Sequence, residues 1–199
     1  MKRNNKKLEI EEVALQLFSE KGIKGTSTRD IAGSIGISEG TIYRHFKSKD
    51  DLAYQLFLKC VEKFSRILQG RVDRFTDPLG KLTAVIDGFI TFAFDDPLNF
   101  NYLMRLHHSE IPEFPDTVCL PRDIVTEVIV EGIKRGVFRD TDPNLLTAQV
   151  VGSVIRSIYY AQQGFINISG EDFERELKLS AISIVKNRKG LLNDQMDSQ

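Results

Sequence analysis

Between Ser27 and Lys49 the chain gathers residue types that can hold phosphate and read base edges, at spacings that place them on one surface. On a helix beginning near Glu39, with about 100° per residue, Ile42 and Phe46 point to one side. Gly40 and Arg44 then lie opposite, with Thr41 and Tyr43 on the flanks. A glycine near the helix start lets the backbone approach a phosphate or base closely. Arg44 can fork onto a guanine or a phosphate, and Thr41 can donate to a base or touch a thymine methyl. Tyr43, His45 and Lys49 are of the types that hold phosphates, and Thr28 can cradle another with the amides of its helix start. The pattern suits a face for double-stranded DNA. Its alternative is a helical hairpin whose polar residues are simply solvated.

These residues need two short helices to position them. Ser27 and Asp30 form a capping box, Ile31, Ala32 and Ile35 mark a short helix, and Gly36 stops it. Ser38 caps the next helix, so two helices of about eight residues are joined by Gly36-Ile37-Ser38, which is a helix-turn-helix. Such a unit sends the start of its second helix into the DNA major groove. Ahead of it, Ile10, Val13, Ala14, Leu17 and Phe18 line one face of a helix that ends at Lys21 and Gly22. Behind it, Ser48 and Asp51 open a long helix from Lys49 to about Phe75. Asp77-Pro78 and Asp96-Pro97 start helices reaching about Phe94 and Ser109, and Glu110–Leu120 is a loop. Helices over Pro121–Arg135, Asp142–Gln163 and Gly170–Lys189 complete an all-α chain, with no strand-like period of two.

With 199 residues, 41% of them hydrophobic and 28% charged, the chain has room for a real core and is not disordered. Its net charge of −1 hides an asymmetry. Residues 1–55 hold ten Lys and Arg against eight Asp and Glu, and Lys2, Arg3, Lys6 and Lys7 precede the first acid. A basic start ahead of a compact domain is a footprint of nucleic-acid binding and also of a solvated tail. No apolar run approaches the roughly 18 residues of a membrane span. The start lacks the apolar stretch of a signal peptide. Cys60 and Cys119 stand alone, so neither a disulfide framework nor a zinc site is suggested, and a reducing cytoplasm fits.

The run Ile31-Ala32-Gly33-Ser34-Ile35-Gly36-Ile37-Ser38-Glu39-Gly40-Thr41-Ile42-Tyr43-Arg44-His45-Phe46-Lys47-Ser48-Lys49-Asp50-Asp51-Leu52 resembles the signature of the tetracycline-repressor (TetR/AcrR) family of bacterial regulators. The lead-in Leu17-Phe18-Ser19-Glu20-Lys21-Gly22 and Gly25-Thr26-Ser27-Thr28-Arg29-Asp30 resembles it too. The likeness covers about residues 8–55. Its most specific parts are the Tyr-x-His-Phe core and the Lys-Asp-Asp-Leu exit. It implies a three-helix DNA-binding domain over 1–50 and a larger helical effector-binding and dimerisation domain over 51–199. The family's DNA contacts carry over onto Thr28, Ser38, Gly40, Thr41, Tyr43, His45 and Lys49, while Arg44 falls where the family varies and is expected to contribute to sequence choice. Ile35 departs from the family's usual alanine before the turn glycine; a slight shift in helix packing is expected, with DNA binding retained.

Family members are homodimers, and the last two helices add their own support. Val151, Ile155, Ile158 and Tyr159 in one, and Leu177 and Ile184 in the other, belong to apolar sets broad enough to be buried on two sides. These six are the expected dimer contacts; the alternative is a monomer with both helices central. Phenylalanines crowd residues 57–114, the region that lines the effector pocket in related proteins. Phe64, Leu68, Phe89, Phe92, Leu103 and His107 are therefore pocket candidates for a small apolar or aromatic molecule, although helically spaced phenylalanines more often form core. His107 and His108 point about 100° apart and do not suggest a metal site, and no cofactor is implied.

The expected function is that of a homodimeric repressor released from a palindromic operator by its ligand. A fatty-acyl- or lipid-responsive regulator of the same family is the alternative. An enzyme with an appended DNA-binding head is disfavoured, because no catalytic triad, phosphate loop or metal spacing follows residue 55.

Overall fold

The computed structural model describes residues 2–105 and 118–186. Those residues form nine α-helices and no strand. They are α1 (Lys2–Lys21), α2 (Thr28–Ile35), α3 (Glu39–Tyr43), α4 (Lys49–Val72), α5 (Pro78–Asp95), α6 (Pro97–Arg105), α7 (Pro121–Lys134), α8 (Pro143–Gln162) and α9 (Gly170–Val185). The Asp-Pro pairs start helices for a local reason. Proline at the first helical position gives up an amide that would be unsatisfied there, and the preceding aspartate accepts from the next free amides. Asp142 accepts the N–H of Asn144 at 2.7 Å and of Leu145 at 3.1 Å, and Asp77 accepts that of Gly80 at 2.7 Å.

The chain divides into two compact units, Met1–Lys63 with Phe92–Val118, and Phe64–Thr91 with Cys119–Gln199. Both α4 and α5 run from one unit into the other.

In the first unit, α1 packs on α2 and on α6, and α2 packs on α3. Ile10, Ala14, Phe18, Ile31, Ile42, Phe46 and Leu52 are buried and form the core beneath the helix-turn-helix. Phe18 stacks on Tyr102 with ring centroids 6.2 Å apart, and the Tyr102 hydroxyl donates to the Ala53 carbonyl at 2.8 Å. A side chain of α6 thereby engages both α1 and α4. Glu11, buried on α1, accepts from Lys59 of α4 at 2.6 Å. The buried Thr26 hydroxyl donates to the Gly22 carbonyl at 2.9 Å and closes the end of α1.

The second unit packs α7 against α8 and α8 against α9. On α9 the buried residues are Phe173, Leu177, Ala181 and Val185, one every fourth position. On α8 they are Leu146, Thr147, Val150, Val154 and Ile158. Gly132 allows the Phe138 ring to lie where a Cβ would otherwise stand, 1.9 Å from the nearest ring carbon. Ion pairs from Lys81 to Glu131 and from Lys178 to Asp87, both 2.5 Å, tie α5 to α7 and to α9. No described helix is long and apolar enough to cross a membrane.

Candidate nucleic-acid interface

The capping box that opens α2 is complete. Ser27 Oγ accepts the Asp30 N–H at 3.1 Å, and an Asp30 carboxylate oxygen accepts the Ser27 N–H at 2.8 Å and its hydroxyl at 2.7 Å. These bonds, the hydroxyl's first, hold the Asp30 carboxyl below its usual pKa. At the other end, Gly36 takes the left-handed conformation with φ 71°, which strongly favours glycine. The Ile37 N–H returns to the Ala32 carbonyl at 3.0 Å, so the turn is closed by backbone bonds. Ile35, the departure from the family pattern, is half-buried at the last position of α2.

The second helix is shorter than the pattern predicts: α3 spans five residues rather than about eight. Arg44 and His45 form a turn in which the His45 and Phe46 amides both return to the Ile42 carbonyl, at 2.9 and 3.0 Å. Two anchors impose this early stop. Phe46 is buried, 2% exposed, and the start of α4 captures the next residues. Asp51 accepts the Lys47 N–H at 2.7 Å and donates its own N–H to Ser48 Oγ at 3.0 Å. The Gln55 amide and then the Lys47 N–H hold the Asp51 carboxyl below its usual pKa. Ser38 stands in the capping position with extended backbone but bonds no amide. Its hydroxyl lies 3.0 Å from that of Thr41.

Ile42 and Phe46 face the core, and Gly40, Tyr43 and Arg44 are exposed, Tyr43 by 53%. Thr28, Thr41, His45 and Lys49 are half-buried. The eight expected DNA contacts, Thr28, Ser38, Gly40, Thr41, Tyr43, Arg44, His45 and Lys49, all belong to the first unit. Several already have partners. Arg44 donates to Thr41 Oγ1 at 3.0 Å, which folds its guanidinium back along the helix. Thr28 donates its hydroxyl to Glu39 at 2.7 Å, and Arg29 Nε lies 3.6 Å from the same carboxylate. Lys49 Nζ donates to the carbonyls of Ile23 at 2.7 Å and Thr26 at 2.8 Å, clamping the loop between α1 and α2. Gly40 has no internal reason to be glycine: an added Cβ would meet only Ser38 Oγ, at 3.8 Å. Glycine inside a helix costs about 1 kcal/mol relative to alanine.

Glu39 was not among the expected site residues. The signal that could have found it is topological, since a helix-turn-helix brings the start of α2 to the start of α3 and sets Thr28 beside residue 39.

The pocket candidates fall in both units. Phe64 and Phe89 meet edge to face at 4.8 Å in the second unit, where Leu68 also lies, and all three are buried. Phe92 belongs to the first unit, buried edge to face with Phe100 at 6.3 Å, and Leu103 of that unit is half-buried. His107 lies outside the described residues. Cys60 is buried and donates to Asn99 Oδ1 at 2.6 Å; burial, then the charge of Asp96, pushes its thiol up to about 12. Of the dimer candidates, Ile158 and Leu177 are buried within one chain, Val151, Ile155 and Ile184 are half-buried, and Tyr159 is 46% exposed. The apolar surface that α8 and α9 turn outward includes Leu145, Ala148, Val151, Gly152, Ile155, Tyr159 and Tyr160, with Leu179 on α9.

Residues 10–56 match the family model of bacterial regulatory proteins, tetR family. The chain is 28% identical over 148 residues to the HTH-type transcriptional repressor KstR2 of Mycolicibacterium smegmatis, covering 69% of this chain and 70% of that protein. Its fold is similar to that of a TetR family transcription regulator from Marinobacter aquaeolei VT8, with a TM-score of 0.77 at 18% identity over 94% of this chain and 100% of that one. It is also similar to the transcriptional regulator FadR from Bacillus subtilis in complex with stearoyl-CoA, with a TM-score of 0.68 at 19% identity over 89% and 97% of the two chains.

Proposed function

The chain belongs to the tetR family of bacterial regulatory proteins, and from that premise we propose that two copies bind a palindromic operator as a transcriptional repressor. A small apolar or aromatic molecule releases them. The observation that carries the reading is the exposed face of the helix-turn-helix, where Gly40, Thr41, Tyr43 and Arg44 stand over a core closed by Ile42 and Phe46. Residues 1–50 read DNA, and residues 51–199 bind the effector and dimerise. Arg44 reads a base edge; Thr28, Ser38, Tyr43, His45 and Lys49 hold phosphates. The protein acts by binding in the cytoplasm, not by catalysis.

Dimerisation is supported by α8, which turns Ala148, Val151, Gly152, Ile155 and Tyr159 away from its core residues, exposed or half-buried within one chain. A self-complementary contact there gives the two-fold symmetry that a palindrome mirrors. Release needs two states that the ligand distinguishes. To move occupancy from nearly full to nearly empty, it must favour the released state by roughly 5 kcal/mol. The helix α4 begins beside the reading head and continues into the second unit, so it is the covalent route for that preference. A fatty-acyl effector is the second reading, favoured by the stearoyl-CoA bound to the similarly folded FadR.

The test is selection of random duplex DNA on protein unfolded and refolded to strip bound small molecules. Enrichment of a palindrome with half-sites about one helical turn apart, or a small multiple of it, is expected. No enrichment from folded, dimeric protein would overturn the operator reading. Acyl-CoAs of increasing chain length, added to the selected complex, separate the two effector classes.

A further inference from the structure

In the helix-turn-helix a carboxylate of the chain itself engages two donors at the start of α2. Thr28 opens α2 with a hydroxyl, at a helix start whose Asp30 amide is taken by Ser27 Oγ, and Arg29 beside it has a side chain 88% exposed. Both belong to the chemistry that takes DNA phosphates. Both are engaged by one anion of the chain itself, because Glu39 accepts the Thr28 hydroxyl at 2.7 Å and lies 3.6 Å from Arg29 Nε.

We propose that Glu39 is a specificity-determining residue, an internal stand-in for phosphate that weakens binding to arbitrary DNA more than binding to the matching site. The inference rests on the DNA-binding reading above. Affinity for arbitrary duplex comes almost entirely from phosphates. A phosphate arriving at Thr28 and Arg29 meets the negative charge of Glu39 and must break its bond to Thr28. Every sequence presents the same backbone, so every duplex meets that penalty. At a matching site the displaced carboxylate stands at the start of the recognition helix, next to Gly40, where it can accept an amino proton from a cytosine edge. Only the right base supplies that compensation. The competing role is a plain latch that pins α2 to α3, in which the charge has no separate effect on DNA.

The substitution Glu39→Gln separates the two, since it keeps an acceptor for Thr28 and removes the charge. Affinities of wild type and variant are measured for the selected site and for a scrambled duplex of equal length at two salt concentrations, beside thermal unfolding. Binding of the variant to the scrambled duplex is expected to tighten about three- to tenfold near 0.1 M salt. Its binding to the selected site gains less, so the ratio of the two narrows. The gain shrinks at higher salt. Glu39→Asp, which retains the charge, should keep arbitrary binding weak. Equal gains on both duplexes, or no gain on the scrambled one, would overturn the proposal. A variant that melts earlier and binds both duplexes more weakly would overturn it in favour of the latch. If wild type binds neither duplex, the DNA-binding reading itself has failed, and this inference with it.

Discussion

Lys49 is the first residue of α4, where a cation opposes the helix macrodipole. Its ammonium instead holds the loop that precedes the helix-turn-helix, through the carbonyls of Ile23 at 2.7 Å and Thr26 at 2.8 Å. Lys49→Met keeps the aliphatic stem and removes that clamp. A hydrogen bond to a charged group contributes about 1.5–3 kcal/mol net. The half-buried setting argues for the low end, about 3 kcal/mol for the two bonds; removing a cation that opposes the macrodipole returns about 0.3–1 kcal/mol, so the net loss is about 2–3 kcal/mol. For a chain of this size each kcal/mol moves the midpoint by about 2–4 °C, which gives a fall of about 4–12 °C. Thermal and urea unfolding followed by circular dichroism measure it. Lys47→Met is the control, an exposed lysine two residues away, expected to change stability by no more than about 0.5 kcal/mol. An ammonium has three protons, and the two carbonyls take two of them. The third is suited to a phosphate, so Lys49→Met should also lower the salt slope of DNA binding by about one. A Lys49→Met protein melting within a degree of wild type would refute the clamp, whatever its DNA affinity.

Gly40→Ala should raise stability by up to about 1 kcal/mol, because helix propensity improves and the new Cβ meets only Ser38 Oγ at 3.8 Å. The same change should weaken binding to the selected duplex; unchanged affinity would remove the case for close backbone approach at this residue. Arg44→Ala should relax preference at one or two base positions, by about 1–3 kcal/mol in discrimination, and a repeat selection that returns the wild-type site would count against base reading by Arg44. The Asp30 and Asp51 carboxyls are both held below the ordinary aspartate range by capping or side-chain hydrogen bonds. Their stabilisation is therefore complete above the unfolded pKa and is lost as pH falls through the lower folded values. The urea midpoint should stay level in this respect from pH 7 to about 5 and fall below about pH 4, more shallowly in the double variant Asp30→Asn, Asp51→Asn; equal steepness would show that other groups carry the acid sensitivity.

Helix starts were legible because their signals are local. Asp142-Pro143 and Ser27-Asp30 specify their caps within four residues, and the observed bonds are those the residue types predict. The length of α3 was not legible, because it is decided outside α3. Periodicity alone lets the helix run through Phe46, yet Phe46 is buried while Asp51 captures the Lys47 amide, and the chain must turn between them. The same limit applies where a helix is apolar on most sides. Leu177 and Leu179 stand two positions apart on one helix, and only the packing shows that Leu177 is buried and Leu179 is 51% exposed. Phe64, Phe89 and Phe92 have a spacing that serves a core as well as a cavity wall, so their residue types could not decide between the two.

In the helix-turn-helix, residue types suggest which groups could meet DNA but not what those groups do without it. Thr28, Ser38, Arg44 and Lys49 were identified by what they could donate or accept, and each has an intramolecular partner. A polar side chain ordered before binding loses less rotamer freedom when its ligand arrives. The hydroxyl of Thr41 holds Arg44 over the exposed helix face, and the loop carbonyls hold Lys49 at the start of α4. On the proposal above Glu39 works in the opposite sense, because its bond to the Thr28 hydroxyl would have to break before a phosphate could take its place. The head is thus pre-ordered where contact with DNA adds partners and obstructed where it must exchange one. That combination favours a sequence able to compensate the displaced acid over one that offers phosphates alone.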